Sequence, residues 1–171
     1  MIDIFTGVQP NVDAERSVIG AILTDPDSIM PEAEEMLSEQ DFLITEYRTL
    51  FRTCSGYFVD GKPIDIVTLL EQHGDAYKII MVEAIQSMPS IRNWRSYAQI
   101  VVDTAKRYRA FEQLTELSEY LVTNNSVQEC QGLAVRLCEQ LSTTTTGNTV
   151  SAKEGFMEFY SGLQKPVEYI H

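Results

Sequence analysis

At 171 residues, of which 44% are hydrophobic, the chain is long enough for one ordinary domain with a buried core, or a small domain plus an appendage. No apolar run approaches the roughly 18 residues of a membrane span, and Met1-Ile2-Asp3-Ile4-Phe5 lacks the basic and then apolar pattern of a secretory signal, so a membrane or export role is not expected and the cytoplasm is the expected compartment. The net charge is −12, and residues 1–60 alone hold twelve acids against Arg16, Arg48 and Arg52. Such a surface repels phosphate backbones and suits a basic protein partner, or simply water.

The pattern reads as all-helical, with apolar residues recurring at spacings of three and four. Val8-Gln9-Pro10-Asn11 is an extended entry, because Pro10 disfavours helix in the residue before it. Asn11 or Asp13 then caps a helix to about Leu23, with Ala14, Val18, Ala21 and Ile22 on one face; Gly20 inside it calls for a backbone packed close by. Thr24-Asp25-Pro26-Asp27 breaks that helix, and a second runs from about Ile29 to Leu37. Phe42 and Leu43 anchor a short turn. A third helix, about Glu46 to Asp60, turns Tyr47, Leu50, Phe51, Cys54, Tyr57 and Phe58 inward. After the turn Asp60-Gly61-Lys62-Pro63, Asp65 caps a helix from Ile66 to Gln72 that His73-Gly74 ends, and another spans about Tyr77 to Gln86.

From Ile91 to about Asn124 there is no Gly and no Pro, and Trp94, Ala98, Val101, Ala105, Tyr108, Phe111, Leu114, Leu117 and Leu121 keep the helical rhythm. A helix of about 30 residues is about 45 Å long, too long for a core of this size to cover, so part of it should project. A turn at Thr123-Asn124-Asn125-Ser126 leads to a partner helix, Val127 to Leu141, whose Val127, Cys130, Ala134, Leu137 and Leu141 are spaced as a coiled-coil seam. Residues 142–150 are a polar linker. Ser151 with Glu154 fits a capping box for a short helix carrying Phe156, Phe159, Tyr160 and Leu163 on one side, with nothing left in the chain to bury them. The expected architecture is therefore all-α: a small globular head (1–90), a long antiparallel hairpin (91–141), a flexible linker (142–150) and a linker helix (151–171).

Chemistry is sparse. Cys54, Cys130 and Cys138 form no C-x-x-C pair and read as buried thiols, and Cys130 and Cys138 are too far apart along one helix for a disulfide. With only His73 and His171, a zinc site has almost no ligands, and no metal is expected. No G-x-x-x-x-G-K-[ST], G-x-G-x-x-G or G-x-S-x-G motif is present, so neither a nucleotide cradle nor a nucleophile elbow is expected, and no catalytic or cofactor-binding residue is assigned. Glu34/Glu35 and Asp25/Asp27 point different ways and read as solvated surface. Arg92, Arg95, Lys106, Arg107 and Arg109, interleaved with Trp94, Tyr97 and Tyr108, could form a nucleic-acid surface, but Asp103, Glu112, Glu116 and Glu119 on the same helix favour packing and ion pairs.

Four stretches in order resemble the N-terminal domain of DnaB-type replicative helicases. Val8-Gln9-Pro10-Asn11 leading into Ala14-Glu15-Arg16-Ser17-Val18-Ile19-Gly20 is similar to that family's opening, a proline segment followed by "EAE-x-x-V-L-G". Asp41-Phe42 with Tyr47-Arg48-Thr49-Leu50-Phe51 is similar to "DF…hr-x-IF". Gly61-Lys62-Pro63-Ile64-Asp65-Ile66-Val67-Thr68-Leu69 is close to "G-x-P-I-D-x-x-T-L", and Met88-Pro89-Ser90 before Tyr97-Ala98-Gln99-Ile100-Val101 to "tPs…Y-a-x-I-V". The register holds over about residues 8–125. Gly74-Asp75-Ala76-Tyr77 is shorter than the family's Gly-Gly loop, as in a divergent member such as one from a phage or mobile element.

The resemblance implies an assembly and partner-binding domain. Hairpins would pair heads into dimers, with Tyr108, Phe111, Leu114, Leu117, Leu121, Cys130 and Leu137 at the oligomer interface, and three dimers would form the collar of a hexamer. The collar would meet a DnaG-type primase and sometimes a loader. Phe156, Phe159, Tyr160 and Leu163 would dock on a neighbouring subunit. ATP and Mg would be used, and DNA unwound, by an ATPase domain expected just after His171; this segment itself would need no cofactor. A stand-alone all-α loader or adaptor without an ATPase is the alternative.

Overall fold

The structure is a computed structural model and describes residues 7–123 and 126–142. Seven α-helices and two 3-10 turns make up the regular structure among them, with no strand. Two compact units part at Arg109/Ala110, later in the chain than the 90/91 division expected from sequence.

In the first unit, helix α1 (Val12–Thr24) lies at the centre. Asn11 caps it, its side-chain oxygen accepting from the Ala14 N–H at 3.0 Å, as its residue type dictates. The sequence suggested one buried face, but Ala14 to Leu23 are buried nearly all round, except Arg16. The cause is packing on several sides, against α2 (Pro26–Met36), α3 (Thr45–Val59) and above all α5 (Ala76–Ser87). Gly20 makes the last contact possible: a Cβ there would lie 2.1 Å from the Ala84 carbonyl oxygen.

Helix α2 begins at Pro26, earlier than the Ile29 expected. Pro26 occupies the first helical position, where its missing N–H costs nothing. Asp25 both accepts from the Ser28 N–H at 3.3 Å to cap α2 and donates its own N–H to the Ala21 carbonyl at the end of α1. A 3-10 turn (Glu39–Asp41) follows, and Phe42 inserts fully into the core, stacked 4.8 Å from Phe51.

Helix α3 buries Tyr47, Leu50, Phe51 and Cys54 as expected and packs Tyr57 against the same core, but Phe58, at the edge of that face, is 39% exposed. Helix α4 (Ile66–His73) has the expected Asp65 cap, with the Thr68 N–H donating at 3.0 Å, and those bonds hold the Asp65 carboxyl below its usual range. It ends at Gly74, whose φ of 78° suits glycine. After a 3-10 turn (Ile91–Asn93), α6 (Trp94–Val122) starts, and Trp94, Ala98 and Val101 bury in the same core.

All three cysteines are thiols. Cys54 is fully buried, and burial pushes its thiol up to about 12. A thiolate is the reactive form, so Cys54 should resist alkylation at pH ~8 until the chain unfolds. Mass spectrometry of iodoacetamide-treated native protein checks this; labelling as fast as at half-buried Cys138 would contradict it.

Candidate assembly surface

The groups that could do chemistry are engaged in structure. His73 Nε2 lies 2.9 Å from Thr53 Oγ1, and its ring sits 4.9 Å from that of Tyr77. The Thr53 hydroxyl donates to the Thr49 carbonyl, so His73 donates to the hydroxyl oxygen and has no nucleophile there to activate. Burial and the Arg52 charge hold His73 below its usual range. Gly56 to Lys62 has the spacing of a phosphate loop up to its lysine, but Pro63 stands where a hydroxyl is needed and Gly56–Val59 form the last turn of helix α3 rather than a loop. Among the described residues no three metal-ligating side chains converge, and no described helix is long and apolar enough to cross a membrane.

Three arginines of α6 bond to groups of their own chain. Arg95 makes a two-pronged bond to Glu32 at 2.6 and 2.5 Å and lies 5.3 Å from the Trp94 ring. Arg107 donates to Thr104 Oγ1 and the Asp103 carbonyl, and Arg109 to Asp41 and the Gln40 carbonyl. Guanidinium groups so committed are poorly placed for a phosphate backbone.

One structurally decisive residue escaped the sequence reading. Glu15, grouped above with the surface acids, is 1% exposed. Its two oxygens accept the N–H groups of Leu43 and Ile44, each at 3.0 Å, just ahead of α3, whose N-cap Ile44 offers no side-chain acceptor. Arg48 Nε donates to the Phe42 carbonyl at 2.8 Å, so the segment is gripped through both its donors and an acceptor. Burial raises the Glu15 carboxyl above its ordinary value, against the pull of those N–H groups and Arg48. Its spacing with Ile19 and Ile22 on one helical face was the available signal.

In the second unit, the rest of α6 and helix α7 (Val127–Ser142) hold all but Tyr108 of the residues expected in the hairpin interface. Tyr120 Oη donates to Glu129 at 2.9 Å, joining the two helices. Cys130 and Leu137 are buried, and Phe111 and Leu117 are half-buried, as is Tyr108 in the first unit. Leu114 and Leu121 stand 50% and 63% exposed, seven residues apart and so on one side of α6. Val127, expected in the seam, is 73% exposed, because it begins its helix beside the turn. Phe156, Phe159, Tyr160 and Leu163 lie outside the described residues.

A family model described as the DnaB-like helicase N terminal domain matches residues 8–103. The chain belongs to that family. The matched segment runs from the entry to α1 into α6 and contains Glu15, Gly20, Phe42 and the Asp65 cap. Replicative DNA helicase DnaB of Pasteurella multocida (strain Pm70) is 35% identical over 114 residues, 58% of this chain and 23% of the relative. That of Treponema pallidum (strain Nichols) is 33% identical over 107 residues, 57% of this chain and 24% of the relative. The chain thus spans about a quarter of the length of such relatives. The crystal structure of the N-terminal domain of DnaB helicase from Mycobacterium tuberculosis superposes with a TM-score of 0.64 at 24% identity, covering 77% of this chain and 97% of that one. The all-α DnaB N-terminal fold, expected from the four stretches, is borne out.

Proposed function

We propose that this DnaB-family domain is the assembly and partner-binding part of a replicative hexameric DNA helicase. ATP and Mg would be used, and DNA strands separated, by a motor domain of the parent protein in the cytoplasm. The observation that carries the reading is the family match over residues 8–103. The acid-rich first 60 residues, with Arg95 and Arg109 of α6 each paired to an acid of the same chain, support a protein-facing rather than DNA-facing role. A basic surface on a DnaG-type primase, or on a loader, is the partner chemistry that fits such an acidic head.

Self-association would run through the second unit, where Leu114 and Leu121 provide apolar area that its own packing leaves open. Burying a leucine contributes about 1.5–3 kcal/mol, so replacing both should weaken pairing by roughly a hundredfold or more. Sedimentation velocity on the wild-type chain is expected to give dimers or larger species at ~100 μM, and Leu114→Asp/Leu121→Asp a monomer with unchanged helical circular dichroism. A wild type that stays strictly monomeric would sink this assignment.

A further inference from the structure

The inward stripe of α6 runs Trp94, Ala98, Val101, Ala105, all buried. The half-buried Tyr108 continues that rhythm, and beside it, at the edge of the stripe, stands Arg109. It is also the last residue of the first compact unit. Its guanidinium donates to Asp41 Oδ1 at 3.1 Å and to the Gln40 carbonyl at 3.2 Å. A partly exposed ion pair of this kind adds little net stability.

Asp41 is built to survive the loss of this partner. Its other oxygen, Oδ2, accepts from the Ser38 N–H and the Ser38 hydroxyl, both at 2.9 Å. The Arg109 side chain is already 35% exposed, so on leaving it meets water. The far end of the same segment cannot move so cheaply: Phe42 is sunk in the core against Phe51, and Glu15 holds the Leu43 and Ile44 N–H groups. Residues 38–41 are thus flanked by the buried Leu37 and Phe42, and between these anchors Gln40 and Asp41 are tied to α6 through Arg109.

We infer that the Arg109–Asp41 contact is a releasable latch, holding the last turn of α6 in the first unit to the 3-10 turn at Glu39–Asp41. It opens and closes while the core stays folded. Its strength depends on ionic strength, because a partly exposed pair is screened by salt.

Backbone amide chemical shifts of the full 171-residue chain test this by NMR. As salt rises from about 0.05 to about 0.5 M, the Gln40, Asp41 and Arg109 signals should move along straight lines, the open-to-closed ratio rising roughly threefold. The lines of Gln40 and Asp41 should point to their positions in Arg109→Gln, and that of Arg109 to its position in Asp41→Asn, and in both variants the salt response should vanish. Signals of Ile19, Ile22 and Met81 should stay put. Variants that still respond to salt like the wild type would overturn the latch, and so would shifts spread through α1 and α5, which signify general loosening.

Discussion

Gly20→Ala is expected to destabilise the chain by about 2–4 kcal/mol, lowering its thermal midpoint by roughly 10 °C. The added methyl would sit 2.1 Å from the Ala84 carbonyl oxygen and 2.8 Å from its carbon. Both are backbone atoms within helix α5, so no rotamer change relieves the clash and α1 and α5 must separate. That contact lies at the centre of the core, beside Ile19, Met81 and Ala84. The gain of up to about 1 kcal/mol from replacing a mid-helix glycine only partly offsets this. Gly132 is the control, because a Cβ there meets nothing within 4 Å in helix α7. Gly132→Ala should therefore stabilise, by about 0.5–1 kcal/mol. Urea denaturation of both variants measures the contrast; equal effects of the same sign would show that helix propensity, not the close approach, governs position 20.

Glu15→Ala is expected to cost about 3–5 kcal/mol in the same measurement. It strips both acceptors from the Leu43 and Ile44 N–H groups, leaving two donors unsatisfied, and opens a gap where the buried side chain stood. Glu15→Gln should lose less, because one amide oxygen can still accept while the amide nitrogen faces a second donor. Burial sets the Glu15 carboxyl above its ordinary value in the folded chain, so the unfolded chain releases that proton first. The contribution of the group is therefore full below the unfolded value and declines as pH rises through the folded one. Glutamine does not titrate, so the gap between wild type and Glu15→Gln should narrow from pH ~4 toward pH ~7. A gap that widens over that range would reverse the assignment.

Much of the fold was legible because its signals are local. The Asn11 and Asp65 caps, the Gly74 stop and the long Gly- and Pro-free run of α6 depend on residues within a turn of one another, and each appears where the pattern put it. The misreadings are equally local. The break at Thr24–Asp27 ends α1 as expected, but the second helix begins at Pro26 rather than Ile29, because the neighbouring Asp25 cap makes the same stretch a start. Phe58 read as core because periodicity reports a face but not how wide a part of it is covered: Tyr57 in the same turn packs on the core and Phe58 does not. The interface candidates were legible as apolar, yet Cys130 and Leu137 prove buried within the chain while Leu114 and Leu121 prove exposed. Hydropathy alone does not separate these.

The sequence by itself determined the helical class, most helix limits and, through four stretches in register, membership of the DnaB-like N-terminal domain family. Only the tertiary structure decided that α1 is buried on nearly every side, that Gly20 exists for Ala84, and that Glu15 is a buried clasp rather than a surface acid. Helix formation is written in spacings of three and four along one strand of text. The role of a charge is set by its surroundings: Glu15 meets Leu43 and Ile44, and Asp41 meets Arg109, across gaps in sequence that no local pattern spans.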